Sequence, residues 1–123
     1  MPLKWMRGQQ VPRHLLGVIY ELQSVMFEIV QSETFRRWHS GLRDSHGAMR
    51  IVARIRWLSL GNPGDVKPVG RGVSELRLDC GPGYRVYYTR RGARLIVLLA
   101  GGDKQSQSAD IERALAIASE WKE

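Results

Sequence analysis

Two arginines and a lysine are spaced so that they could handle a phosphate. Arg77 lies in the alternating run V-S-E-L-R-L-D (73–79), Arg85 in Y-R-V-Y-Y-T (84–89), and a Gly81-Pro82-Gly83 turn lies between them. A third run, L-I-V-L-L-A (95–100), leads into G-G-D-K-Q (101–105), which carries Lys104, with Gln107 just beyond. Period-two alternation along the first two runs puts Arg77, Arg85 and Tyr87 on one side of a hairpin. Lys104, past the end of the third run, would reach the rim of that side. Guanidinium groups hold phosphate bidentately, and fixed cations stabilise it more strongly as charge builds during attack on phosphorus. Tyr87 would stack on a base or pass a proton, although a phenol with pKa of about 10 is a poor base unaided. The plainer reading makes Glu75, Arg77 and Arg85 cross-strand ion pairs on a wet sheet face, worth at most about 1 kcal/mol each.

The elements that must position these side chains follow from local pattern. Met26 to Val30 is strand-like. Ser32 is a good N-cap with Glu33 in the first turn, and Phe35, Trp38, His39 and Leu42 keep helical period. The polar run Asp44-Ser45-His46-Gly47 reads as a break before a second helix, about 48–60, with Ala48, Ile51, Val52, Ile55 and Leu58 inward. Arg50 and Arg54 fall one turn apart on its outer face. A Gly- and Pro-rich loop from Asn62 to about Gly72 contains Lys67 and Arg71. Three strands and a helix from about Ser106 to Trp121 complete the order β-α-α-β-β-β-α, an α+β domain. His39 reads as lining the helix interface, His46 as an outside candidate acid, and Gly101-Gly102 as a simple backbone turn. The compact domain is expected to span 25–123, with residues 1–24 an appendage of unlike composition.

Composition narrows the partners. The chain has 123 residues, enough for one domain, and a net charge of +7. Its 19 basic residues are 15 Arg and 4 Lys, a bias towards bidentate phosphate contact. Between Arg36 and Arg94 stand 13 basic and four acidic residues, so the charge concentrates mid-chain. Nucleic acid is the leading specific partner; a membrane is not expected, since no basic amphipathic helix stands alone. Cys80 is the single cysteine, which excludes an internal disulfide and suits a reducing cytoplasm. Three scattered histidines offer no metal-ligand spacing, and no cofactor motif is present. The apolar stretch 15–20 is too short for a signal-peptide core.

The runs F-R-R-W-H-S-G-L-R-D (35–44), G-N-P-G-D-V-K-P-V-G-R-G-V-S-E-L-R (61–77), G-P-G-Y-R-V-Y-Y (81–88) and L-A-G-G-D-K-Q-S-Q-S-A-D-I (99–111) resemble those of the addiction-module killer proteins. These are phage-type, HigB-like toxins of the RelE/ParE superfamily. The resemblance covers about Met26 to Trp121. It implies a small, mostly antiparallel sheet with an N-terminal helical hairpin on one face and a C-terminal helix. It also implies an antitoxin partner, often with a helix-turn-helix DNA-binding domain, and a cytoplasmic toxin. In the RelE-like branch the toxin cleaves mRNA on the ribosome without metal, by attack of the RNA 2′-OH on the adjacent phosphate. By that resemblance Arg77, Arg85, Lys104 and Tyr87 form the catalytic set, while Arg50, Arg54, Lys67, Arg71 and Gln107 contact RNA or ribosome. Some RelE-like enzymes carry a catalytic Tyr or Lys in the terminal helix; here only Lys122 stands near it, leaving Tyr87 as candidate base. The rival reading is a ParE-like gyrase inhibitor that binds a protein and cleaves nothing.

Overall fold

A computed structural model describes residues 26–122. The proposed appendage, residues 1–24, lies outside them. Five strands form one mixed sheet in the order β1-β5-β4-β3-β2, with β1 (Glu28–Gln31), β2 (Val66–Gly70), β3 (Val73–Arg77), β4 (Arg85–Arg91) and β5 (Leu95–Gly102). Only the β1–β5 pairing is parallel. Helices α1 (Glu33–Ser40) and α2 (Ser45–Ser59) follow β1, and α3 (Gln107–Glu120) follows β5.

The sheet is covered on both faces, not one. Against the helical hairpin, Leu76, Leu78, Tyr84, Val86, Ile96 and Leu98 pack with Phe35, Ile51 and Leu58. On the reverse, Val73, Tyr87, Val97, Leu99 and Ala100 pack under Ala114 and Ala118 of α3. Strand β5 is apolar throughout because its residues enter both of these cores. Arg91 of β4 secures the far end of α3, donating to the carbonyls of Ala118 and Trp121.

Two readings of the sequence are corrected here. Residues 66–70, expected as loop, are an edge strand paired only with β3. An edge tolerates Pro68 where a central position would not. The break between the two helices falls at 41–44 instead of 44–47. Asp44 is the N-cap of α2, accepting from the Gly47 amide at 3.0 Å, so the helix begins at Ser45. The earlier start goes with a different set of inward residues: Ile51 and Leu58 are buried, but Val52 is exposed.

The second oxygen of Asp44 accepts from the Tyr84 hydroxyl at 2.9 Å, tying the hairpin to the loop after β3. The Gly47 amide first, and Tyr84 second, hold this carboxyl below its ordinary 3.8. Its folded pKa being the lower one, its contribution to stability is complete above the unfolded value and disappears as pH falls through the folded value. Glu33, held at about 2 chiefly by its bond to Arg36, acts in the same direction. The melting temperature should therefore fall as pH drops from about 5 to about 2. Asp44→Asn should make that decline shallower; an equally steep decline in the variant would refute the assignment.

A β-bulge positions the end of β5. Tyr87 pairs with Ala100 but Tyr88 with Leu98, so Leu99 is the extra residue. Ser32 serves two elements at this point. Its hydroxyl donates to the Leu99 carbonyl at 2.6 Å and accepts from the Phe35 amide at 3.0 Å, capping α1. Past the bulge the strand's phase is switched: Ala100 belongs to the α3 side, Gly101 lies against Trp38 of α1, and Gly102 lies against Asp110 of α3. The paired glycines thus permit close packing on both faces, beyond the simple turn expected of them.

Candidate functional site

Arg77 and Arg85 are directly opposite each other across the antiparallel β3–β4 pair, with Gly102 next in the row. Like charges facing each other across strands cost stability. Each has a carboxylate of its own within 4 Å. Arg77 Nη2 reaches Asp65 Oδ1 at 3.0 Å and keeps 36% of its side chain exposed. Arg85 is only 13% exposed, and its Nε lies 3.9 Å from Oε1 of the fully buried Glu75.

Both guanidiniums open into one cavity of about 560 Å³, lined by Asp65, Arg77, Leu78, Asp79, Arg85, Lys104 and the Gly81-Pro82-Gly83 turn. That turn is fixed by local bonds: Leu78 N–H to Tyr84 O at 3.0 Å and Gly83 N–H to Cys80 O at 3.0 Å. Gly83 has φ +79°, a left-handed conformation that side chains rarely adopt, and the Lys104 Cβ would sit 3.3 Å from a Cβ placed there. The glycine therefore lets the turn settle against the base of Lys104, bringing the third cation to the two arginines. The arrangement offers a concave wall lined by two arginines and the exposed Lys104, with carboxylates at Asp65 and Asp79 beside them.

Tyr87 does not join this cavity. It shares the arginines' face, as its register requires, but α3 covers that part of the sheet and leaves it 0% exposed. Its hydroxyl donates to Glu75 Oε2 at 3.0 Å. Burial first, and the bond to Glu75 second, push the phenol well above its ordinary value. The expectation that Tyr87 projects into solvent and takes a proton is therefore corrected. Gln107, at the start of α3, donates to the same Oε2 at 2.8 Å. Its amide is thereby engaged within the protein.

The remaining basic candidates scatter. Arg54 donates to the backbone carbonyls of Arg77 (2.6 Å), Pro63 (2.9 Å) and Asp65 (3.2 Å), so it pins the edge of the sheet to α2 instead of standing free on the outer face. Arg50 is exposed beside Arg54 and Trp57 on a separate groove. Lys67 is exposed on β2, in backbone register with Glu75, and is not among the residues lining the cavity. Arg71, with φ 52°, occupies the β2–β3 turn at the opposite end of β3 from Arg77. His39 bonds the Ala48 carbonyl at 3.0 Å and stacks on Phe35, which agrees with an interface role.

Sequence reasoning missed Asp65 as a partner, and it named Glu75 as an ion-pair partner but placed it on a wet face instead of in the core. Asp65 reads as turn chemistry, and its contact with Arg77 depends on β2 forming. Glu75 has the polar parity of a solvent-facing residue; its burial follows from the position of α3, which strand periodicity does not carry. Among the described residues no helix is long and apolar enough to cross a membrane.

Residues 42–122 match the family model described as "Phage derived protein Gp49-like (DUF891)". An uncharacterized protein of Haemophilus influenzae is 44% identical over 93 residues, which covers 76% of this chain and 94% of that protein.

Proposed function

The chain belongs to the Gp49-like family of phage-derived proteins, a toxin–antitoxin-associated family related to the RelE and HigB toxins, and from that premise we propose a ribosome-dependent mRNA endoribonuclease. The observation that carries the reading is the pairing of Arg77 and Arg85 in one cavity with Lys104. Two guanidiniums set opposite each other can share an anion that bridges them, beyond their contacts with Asp65 and Glu75.

In this reading an RNA phosphate enters the cavity and is held by the Arg77 and Arg85 forks. The neighbouring 2′-OH attacks phosphorus; the O2′–P bond forms as the P–O5′ bond breaks, leaving a 2′,3′-cyclic phosphate and a 5′-hydroxyl. Negative charge on the non-bridging oxygens grows towards the transition state, so the cations favour that state over the bound substrate. Asp79 lines the wall and has no ion-pair partner among the described residues, which makes it the acceptor for the 2′-OH proton. Lys104 supplies a proton to the departing O5′. Lys67 and the exposed edge around it guide the strand in. A cytoplasmic antitoxin encoded with the toxin would hold it inactive.

Brief expression followed by mapping of mRNA ends against ribosome position tests this, with gyrase supercoiling assayed in parallel. New ends inside translated codons are the expected result. Intact mRNA with blocked supercoiling would replace the nuclease by a ParE-like gyrase inhibitor. Binding to a 2′-O-methylated RNA oligonucleotide should also weaken with salt, with a log–log slope of about −2 if three phosphates are neutralised. A flat response would argue for a protein target.

A further inference from the structure

Glu75 has no part in the chemistry just described, yet it is the most unusual residue near it. Its carboxylate is 0% exposed, in the middle of a sheet face otherwise filled by Val73, Tyr87, Val97 and Leu99. A charge is costly to bury, and apolar residues of similar volume usually serve stability as well or better. Its two oxygens are treated differently. Oε2 is saturated by neutral donors, the Tyr87 hydroxyl and the Gln107 amide. Oε1 has no hydrogen-bond partner, and the atom facing it, Arg85 Nε, has none either. The two lie 3.9 Å apart, within reach of a hydrogen bond after a small side-chain rotation.

This asymmetry matters for Arg85. A guanidinium presents five donors in a rigid plane, so fixing Nε fixes where both Nη groups point. Nη1 lies within 3.4 Å of the Tyr84 carbonyl, a long contact, and Nη2 makes no hydrogen bond among the described residues. The inner edge of the fork faces Glu75 and its outer end meets the cavity that also holds Arg77 and Lys104. Glu75 is in turn fixed from behind by Tyr87 of β4 and by Gln107, the first residue of α3.

Building on the nuclease reading above, we propose that Glu75 is a positioning residue: it holds the Nε edge of Arg85 so that the Nη end is aimed at the scissile phosphate, and Gln107 links that aim to the seating of α3. The buried carboxylate therefore acts through Arg85 and never meets RNA.

Glu75→Gln preserves shape and removes the charge; Glu75→Asp keeps the charge and shortens its reach. On ribosomes programmed with mRNA, single-turnover cleavage by Glu75→Gln should drop about 100-fold, the scale of a misplaced catalytic group, while ribosome affinity holds. Arg85→Lys should lose at least as much, and the double variant Glu75→Gln/Arg85→Lys should be no slower than Arg85→Lys alone. Losses that multiply, or wild-type cleavage by both Glu75 variants, would overturn the proposal. A second readout does not depend on activity. Exchange of the Arg85 Nε proton, followed by NMR in the full chain, should be at least about tenfold faster in Glu75→Gln than in wild type. Equal exchange rates overturn the positioning role even if cleavage is altered. If the wild-type protein fails to cleave mRNA, the nuclease reading falls, and the exchange measurement still decides whether Glu75 holds Arg85.

Discussion

Arg77→Ala should lower mRNA cleavage by about 100- to 1,000-fold, the usual effect of removing one group that stabilises developing negative charge, and should relieve growth arrest. The fold should survive this change. Arg77 is one-third exposed, its ion pair with Asp65 is at the surface, and such pairs are worth about 1 kcal/mol or less. Arg85→Ala should be equally inactive but for two reasons, because it removes a proposed phosphate ligand and also the cation that, among the described residues, forms an ion pair with the buried Glu75 carboxylate. Strand parity alone places both arginines on an exposed sheet face, from which removal would leave folding largely intact. For Arg85 that expectation is corrected: stranding a buried charge costs about 3 kcal/mol, which in a domain of this size lowers the melting temperature by more than about 10 °C. Thermal melts should therefore separate the two alanine variants even where toxicity assays do not. Equal melting temperatures would show that Glu75 does not need Arg85. Growth arrest by Arg77→Ala at matched expression would remove the phosphate site itself.

Gly101→Ala should be among the most damaging single-methyl additions in the domain. A Cβ at that position would fall inside the van der Waals envelope of the Trp38 indole, whose ring lies flush against the strand. Trp38 cannot easily yield, because its ring packs edge-on against Tyr84 at 6.2 Å and tilted against Phe35 at 5.8 Å. Overpacking of this kind costs about 1–3 kcal/mol, and more where backbone must move. Since Tyr84 is the link between Asp44 and the loop that carries Gly83 to Lys104, displacement of Trp38 should also disturb the cavity. Both stability and cleavage should fall, and Gly101→Ala/Trp38→Leu should recover part of the stability by making room. A variant as stable as wild type would show that α1 can shift away from β5 at little cost.

Much of this protein was readable from local pattern. Ser32 as a cap, the inward stripe of Phe35, Trp38 and Leu42, and the alternation that sends Leu76, Leu78, Tyr84 and Val86 one way and Arg77, Arg85 and Tyr87 the other are consequences of helical and strand period. Those periods act over a few residues, so a single chain displays them. The same holds for Lys104 at the end of an apolar strand and for the concentration of arginine mid-chain. The resemblance of the ordered motifs to HigB-like toxins pointed to a toxin family, and the Gp49-like match supports that coarser placement.

What period cannot reveal is which portion of a face another element will cover. Alternation assigned Arg85 and Tyr87 to one side equally, yet α3 crosses Tyr87 and Glu75 and stops short of Arg77. One residue of that face became a buried anchor and its neighbour the floor of a cavity, although both have the same parity. Likewise the edge strand β2 exists because β3 offers it a partner, and it is this pairing that brings Asp65 to Arg77. Local composition had chosen the chemical groups; the docking of a helix from the far end of the chain decided which of them meet solvent, because burial depends on residues distant in sequence.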